Sequence, residues 1–144
     1  MNPDQKSPGR RTRPLPMALI VAALTLMSSA VQAADTSAAQ QLERWSAQAA
    51  APGQPERGRV FFAIQHGREW SCASCHGNPP TSPGKHASTG KAIDTMAPAV
   101  NPRVFTDTAR VDKWFRRNCS DVLQRECSAG EKADVLAYLM SLKP

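Results

Sequence analysis

Apolar and polar positions past residue 33 fall into four stretches with helical spacing, and nowhere alternate for long enough to make a sheet. In "TSAAQQLERWSAQAA", Ala38, Leu42, Trp45 and Ala49 predict a first short helix, which "APGQP" ends. Pro55 suits the first position of a second helix, "PERGRVFFAIQ", running to about His66; Val60, Phe61 and Ile64 line one face, and Gly58 stands one turn before Phe62. The third helix is predicted in "TDTARVDKWFRRN", with Val111, Trp114 and Phe115 at i, i+3 and i+4. Threonines and Asp107 suit its start, Arg116 and Arg117 suit the negative end of its dipole, and Asn118 suits a C-terminal cap. In the fourth, Ser128 and Glu131 make a capping box ahead of Val135, Leu136, Leu139, Met140 and Leu142. The segments "GNPPTSPGKHASTG" and "APAVNPRVF" are rich in turn residues and without a period, so they are predicted as loops. With no repeat and no second domain, the pattern predicts one all-α domain with long loops.

The first 33 residues have a different character. A basic, proline-broken start carries Lys6, Arg10, Arg11 and Arg13, and "MALIVAALTLM" is apolar but too short to span a bilayer. "SSAVQA" then ends in small residues at Val31 and Ala33. Residues 1–33 are read as a secretory signal cleaved after Ala33, and residues 34–144 as the mature domain, located in the periplasm. Much of the formal net charge of +6 lies in this leader, and the remainder is too mildly basic to argue for nucleic acid. A domain this small has a modest core and gains much from a covalently held cofactor.

Four cysteines in an exported chain are expected to be engaged. Cys72 and Cys75 lie in "SCASCHGNPP", with His76 directly after the second. Such a pair is a redox dithiol, half of a zinc site or the attachment point of a c-type haem. A dithiol of the thioredoxin kind needs a βαβ context that this chain lacks. Zinc needs two further ligands at site spacing, whereas Cys119 and Cys127 are well apart and His66 and His86 form no pair. Two thiols at this spacing can each join a vinyl group of one porphyrin, and the adjoining histidine can serve as proximal iron ligand. The haem reading, one haem c held by Cys72, Cys75 and His76, leaves Cys119 and Cys127 to pair across "SDVLQRE".

With these residues the chain resembles a class I cytochrome c. In that family an N-terminal helix bearing a glycine and an aromatic crosses the C-terminal helix, and "GRVFF" with "DVLAYL" fits that crossing through Gly58, Phe62, Leu136 and Tyr138. The run from "TGKAIDTMAPAV" through "WFRRNCSDVLQREC" to "DVLAYL" is moreover similar to the small oxygen-binding cytochromes c of the sphaeroides haem protein group. That resemblance implies an asparagine as sixth iron ligand, here Asn118, followed at once by a cysteine in a disulfide, here Cys119 with Cys127. It also implies a dihaem cytochrome c and a membrane cytochrome b as redox partners, and diatomic gases as ligands. Arg116 and Arg117 would then lie near the haem edge, placed for propionates or an acidic partner.

An amide oxygen is neutral and hard, so it suits ferric iron and holds the softer ferrous iron poorly. Methionine sulfur holds both states. The competing sixth ligands are Met96, which would make the protein an ordinary electron carrier, and His66 or His86; Met140 belongs to the last helix and reads as core. A third possibility is an enzyme turning over oxygen, peroxide or nitric oxide, although the chain offers no obvious distal acid or base beyond His86.

Overall fold

A computed structural model describes residues 34–67 and 69–144, so the leader expected at residues 1–33 lies outside the described residues. The elements are α1 (Ala38–Ala49), α2 (Pro55–Ala63), α3 (Cys72–His76), β1 (Gly84–Lys85), β2 (Ala92–Ile93), α4 (Thr108–Leu123) and α5 (Ala129–Ser141). The chain is thus mainly helical. Its two short strands pair antiparallel, Gly84 with Ile93 and Lys85 with Ala92, inside the region read as loop. Among the described residues no helix is long and apolar enough to cross a membrane.

Local chemistry sets most of the helix ends. Ser37 caps α1, its hydroxyl accepting from the Gln40 amide, and Pro55 begins α2. Asp107 caps α4 by accepting from the Arg110 amide. Ser128 and Glu131 form the reciprocal box of α5, and Glu131 is held in turn by Arg125 at 2.7 and 2.8 Å.

α5 is the pivot of the fold, with every residue from Lys132 to Leu139 buried. α2 packs on it so closely that a β-carbon on Gly58 would stand 1.9 Å from the Asp134 carbonyl oxygen, which only glycine avoids. The Asp134 carboxylate locks the same crossing, accepting from the Gln54 amide at 2.7 Å and from Arg57 through Nε and Nη2, both at 2.8 Å. On this side Phe62, Val135, Tyr138 and Leu139 form one apolar cluster. Trp45, Ala133 and Leu136 form another against α1, and Phe105 and Phe115 pack on both. The Arg44 guanidinium grips Asp112, tying α1 to α4.

Four expectations need correction. Asn118 does not end its helix: α4 continues to Leu123, and Gln124 takes the left-handed cap conformation at φ 60°. The extra turn carries Val122 inward on the same face as Val111 and Phe115, which repays its continuation. α2 stops at Ala63 rather than near His66, and its inward face is Gly58 and Phe62, while Val60 and Ile64 are 42% and 49% exposed. Leu136 packs with Trp45 on the α1 side and not in the Gly58 crossing, because it points a full residue step, about 100°, away from the Val135 cluster.

Candidate haem site

The three residues of the pentapeptide share one helical turn. Ser71 caps α3 in a reciprocal box with Ser74, the Ser74 amide donating to the Ser71 hydroxyl at 3.2 Å and the Ser71 amide to the Ser74 hydroxyl at 2.9 Å. This holds Cys72, Cys75 and His76 in helical register. Gly84 of β1 then lies directly on that turn: a β-carbon there would be 2.2 Å from the Cys75 carbonyl oxygen and 3.0 Å from the His76 Cα. The Ala87 amide approaches the Cys75 sulfur at 3.3 Å.

The short hairpin is therefore a brace for the motif. Beyond α3, the Tyr138 hydroxyl donates to the Asn78 side chain at 3.3 Å, fastening the chain after His76 to α5.

His76 reaches inward until its ring centroid is 6.2 Å from that of Phe62, which lies 5.6 Å from Tyr138. Burial, with His86 adding a smaller repulsion, pushes its imidazole below the usual histidine range, so the neutral ring is favoured. Its Nδ1 is buried without a hydrogen-bond partner among the described residues. Cys72 packs against the Phe62 cluster, and burial pushes its thiol up to about 11. Neither Cys72 nor Cys75 is in a disulfide. Two unoxidised thiols and a neutral, incompletely satisfied imidazole on one turn are the donor set that covalent haem requires, and these residues fit that group.

The remaining candidates are distributed as follows. Asn118 is half-buried on α4, at the edge of the face that carries Val111, Phe115, Cys119 and Val122. Phe115, one turn earlier, packs on the same cluster as Phe62 and Cys72, so α4 and α3 contribute to one apolar environment. The sulfurs of Cys119 and Cys127 are joined, their Cα atoms 5.5 Å apart. Met96 is half-buried and packs on the Phe62 cluster as well.

The two other histidines are engaged elsewhere. His66 donates from Nε2 to the Phe61 carbonyl at 2.7 Å, and His86 accepts at Nδ1 from the Thr89 amide at 3.3 Å within its own turn. Arg116 and Arg117 are exposed on the outer side of α4. Among the described residues no group of three or more His, Cys, Asp or Glu is placed to hold a metal ion. A polar cleft of about 310 Å³ opens in the loops flanking Met96, lined by Asp94, Thr95, Asn101 and Arg103 among others, and includes none of the motif residues.

Sequence reasoning did not find Phe62 as the neighbour of His76, nor the bracing role of Gly84. The only signal for the latter was a lone glycine in a loop.

A helical chain folded over a covalent-attachment turn, with a glycine–aromatic helix crossing beneath it, defines a c-type cytochrome. The chain belongs to the family described as Domain of unknown function (DUF1924), whose model matches residues 48–139, and to the group of c-type cytochromes that resemble SHP. It is 48% identical to cytochrome c-type protein SHP of Cereibacter sphaeroides over 111 residues, 74% of this chain and 85% of that one. The solved structure of oxidised SHP, described as an oxygen-binding cytochrome c, superposes with a TM-score of 0.69 at 45% identity, covering 75% of this chain and 99% of the other. The solution structure of Methylophilus methylotrophus cytochrome c'', described as giving insight into haem-ligand detachment, superposes with a TM-score of 0.64 at 34% identity, over 74% and 94% of the two chains. Relatives of this kind imply haem c as the cofactor.

Proposed function

We propose that the protein is an exported, periplasmic monohaem cytochrome c that carries single electrons and, once reduced, releases Asn118 from iron to open a position for O2, NO or CO. The observation that carries this reading is the placement of Asn118, a half-buried amide at the edge of α4's inward apolar face, beside a disulfide. The oxygen binding stated for SHP and the ligand detachment stated for cytochrome c'' support it.

Haem c, when bound, supplies a one-electron couple and, in its ferrous state, affinity for diatomic gases. Cys72 and Cys75 would anchor it as thioethers. His76 would give one ring nitrogen to iron, and its neutral form is already favoured by burial. Asn118 would offer iron a hard, neutral oxygen, a donor better matched to the ferric than to the ferrous state. The Cys119–Cys127 link ties α4 to the chain entering α5 immediately after Asn118, which would limit how far its side chain could move. The redox partners implied by the resemblance are a dihaem cytochrome c and a membrane cytochrome b.

A second reading has an observation of its own: Met96 packs on the same cluster as Cys72 and Phe62, and Met96 ligation would make a conventional electron carrier. Two variants separate the readings. Asn118→Met should convert the ferrous holoprotein to a low-spin form slow to take up carbon monoxide, while Met96→Ala should leave carbon monoxide uptake as in the parent. The reverse pattern would assign the ligand to Met96.

A further inference from the structure

The sequence pairs Arg116 with Arg117, but the helix separates them. At about 100° per residue, Arg110, Lys113, Trp114 and Arg117 fall within one arc of α4, whereas Arg116 points to the other flank. There it contributes to the field that holds the Asp112 carboxyl below its ordinary range, after the larger effects of Arg44 and Lys132. The arc itself has an unusual composition. Trp114 is 46% exposed, with the Lys113 ammonium 5.7 Å and the Arg117 guanidinium 5.8 Å from its ring centroid.

Arg110, Lys113 and Arg117 are all exposed, and among the described residues none is in an ion pair. Asp121, also exposed, is the one carboxylate on this arc. The three cations' counterpart is therefore not supplied by this chain's own ion pairs, and an exposed tryptophan ringed by Lys and Arg has the composition of an interface anchor.

We infer that the Arg110–Lys113–Trp114–Arg117 arc of α4 is the docking face for an acidic redox protein. This rests on the electron-transfer reading above and deepens it, because Trp114 lies one helical turn before Asn118 on the adjoining side of the helix. Charge complementarity selects the occupant: unpaired cations favour a carboxylate-rich patch and give fast, salt-sensitive, transient association. An anionic membrane suits the face poorly. A basic helix binds a bilayer by burying its apolar face there, and the apolar face of α4, with Val111, Phe115 and Val122, is committed to the protein interior.

The test is an amide-shift titration of ¹⁵N-labelled holoprotein with a poly-L-glutamate decamer, beside sedimentation with phosphatidylglycerol vesicles. Shifts should cluster on the arc and include the Trp114 indole, and affinity should fall steeply with added salt. Arg117→Glu and Trp114→Ala should each weaken binding about tenfold, and Arg116→Glu less than about twofold.

Lys113→Glu provides a second variant on the arc should either of the first two be lost in expression. Shifts elsewhere, no shifts at all, or equal losses in Arg116→Glu and Arg117→Glu would overturn the inference, as would vesicle binding without peptide binding. The readout is independent of iron ligation, so a failure of the Asn118 assignment leaves its answer intact.

Discussion

Gly58 and Asp134 meet backbone to backbone: the position a β-carbon would take on Gly58 is 1.9 Å from the Asp134 carbonyl oxygen. Nothing at that point is a flexible side chain able to move aside. Gly58→Ala must push α2 away from α5 and with it Phe62, the residue that faces His76. Overpacking of this sort costs about 1–3 kcal/mol. The denaturant midpoint of the holoprotein should fall accordingly, and an unchanged midpoint would mean that the helices do not cross this closely.

The Asp134 side chain gives a second, chemically distinct handle on the same crossing. It is buried and accepts from Gln54 and Arg57. Asp134→Ala leaves the Gln54 amide and the guanidinium without this acceptor and should destabilise by about 1–3 kcal/mol. Asp134→Asn keeps one acceptor oxygen and should lose less. Equal losses from the two variants, measured by chemical denaturation, would show that packing rather than hydrogen bonding is the larger part.

Stability should also depend on pH in a defined direction. The Arg44 hydrogen bond holds Asp112 below its ordinary range, and the Arg125 hydrogen bond does the same for Glu131. Both carboxyls bind protons more weakly folded than unfolded, so their contribution is fully present above the ordinary carboxylate range, about pH 4, and is lost as pH falls through the lowered folded values. The Asp112 side chain is 39% exposed, and solvent screening limits its pair to about 1 kcal/mol or less. Arg44→Gln should lower the melting temperature slightly at pH 7 and narrow its gap to the parent at pH 3. A constant gap across that range would remove the Arg44–Asp112 pair from the acid response.

The sequence showed some elements plainly because their signals are local. Ser128 and Glu131 announce α5, Pro55 starts α2, Asp107 starts α4, and "CASCH" names its own chemistry at fixed spacing. What escaped depends on partners distant in the chain. "PERGRVFFA" offers two apolar faces, and only the contact of Gly58 with α5 selects Phe62 over Val60 and Ile64. Asn118 looked like a helix end because asparagine tolerates caps, yet Val122 keeps the inward stripe of Val111 and Phe115 going for another turn. Two-residue strands such as Gly84–Lys85 have no period to read. The same correction moves Asn118 from a helix end to a half-buried position at the edge of an apolar face, which is compatible with the ligand role that the resemblance implies for it.

The most direct measurement of the central claim is the absorption spectrum of the purified holoprotein, oxidised, then reduced, then reduced under carbon monoxide. The account predicts a high-spin ferrous spectrum that shifts at once when carbon monoxide is added, because Asn118 has left the iron. A sharp low-spin ferrous spectrum indifferent to carbon monoxide would contradict it and would place a strong ligand such as Met96 in that position.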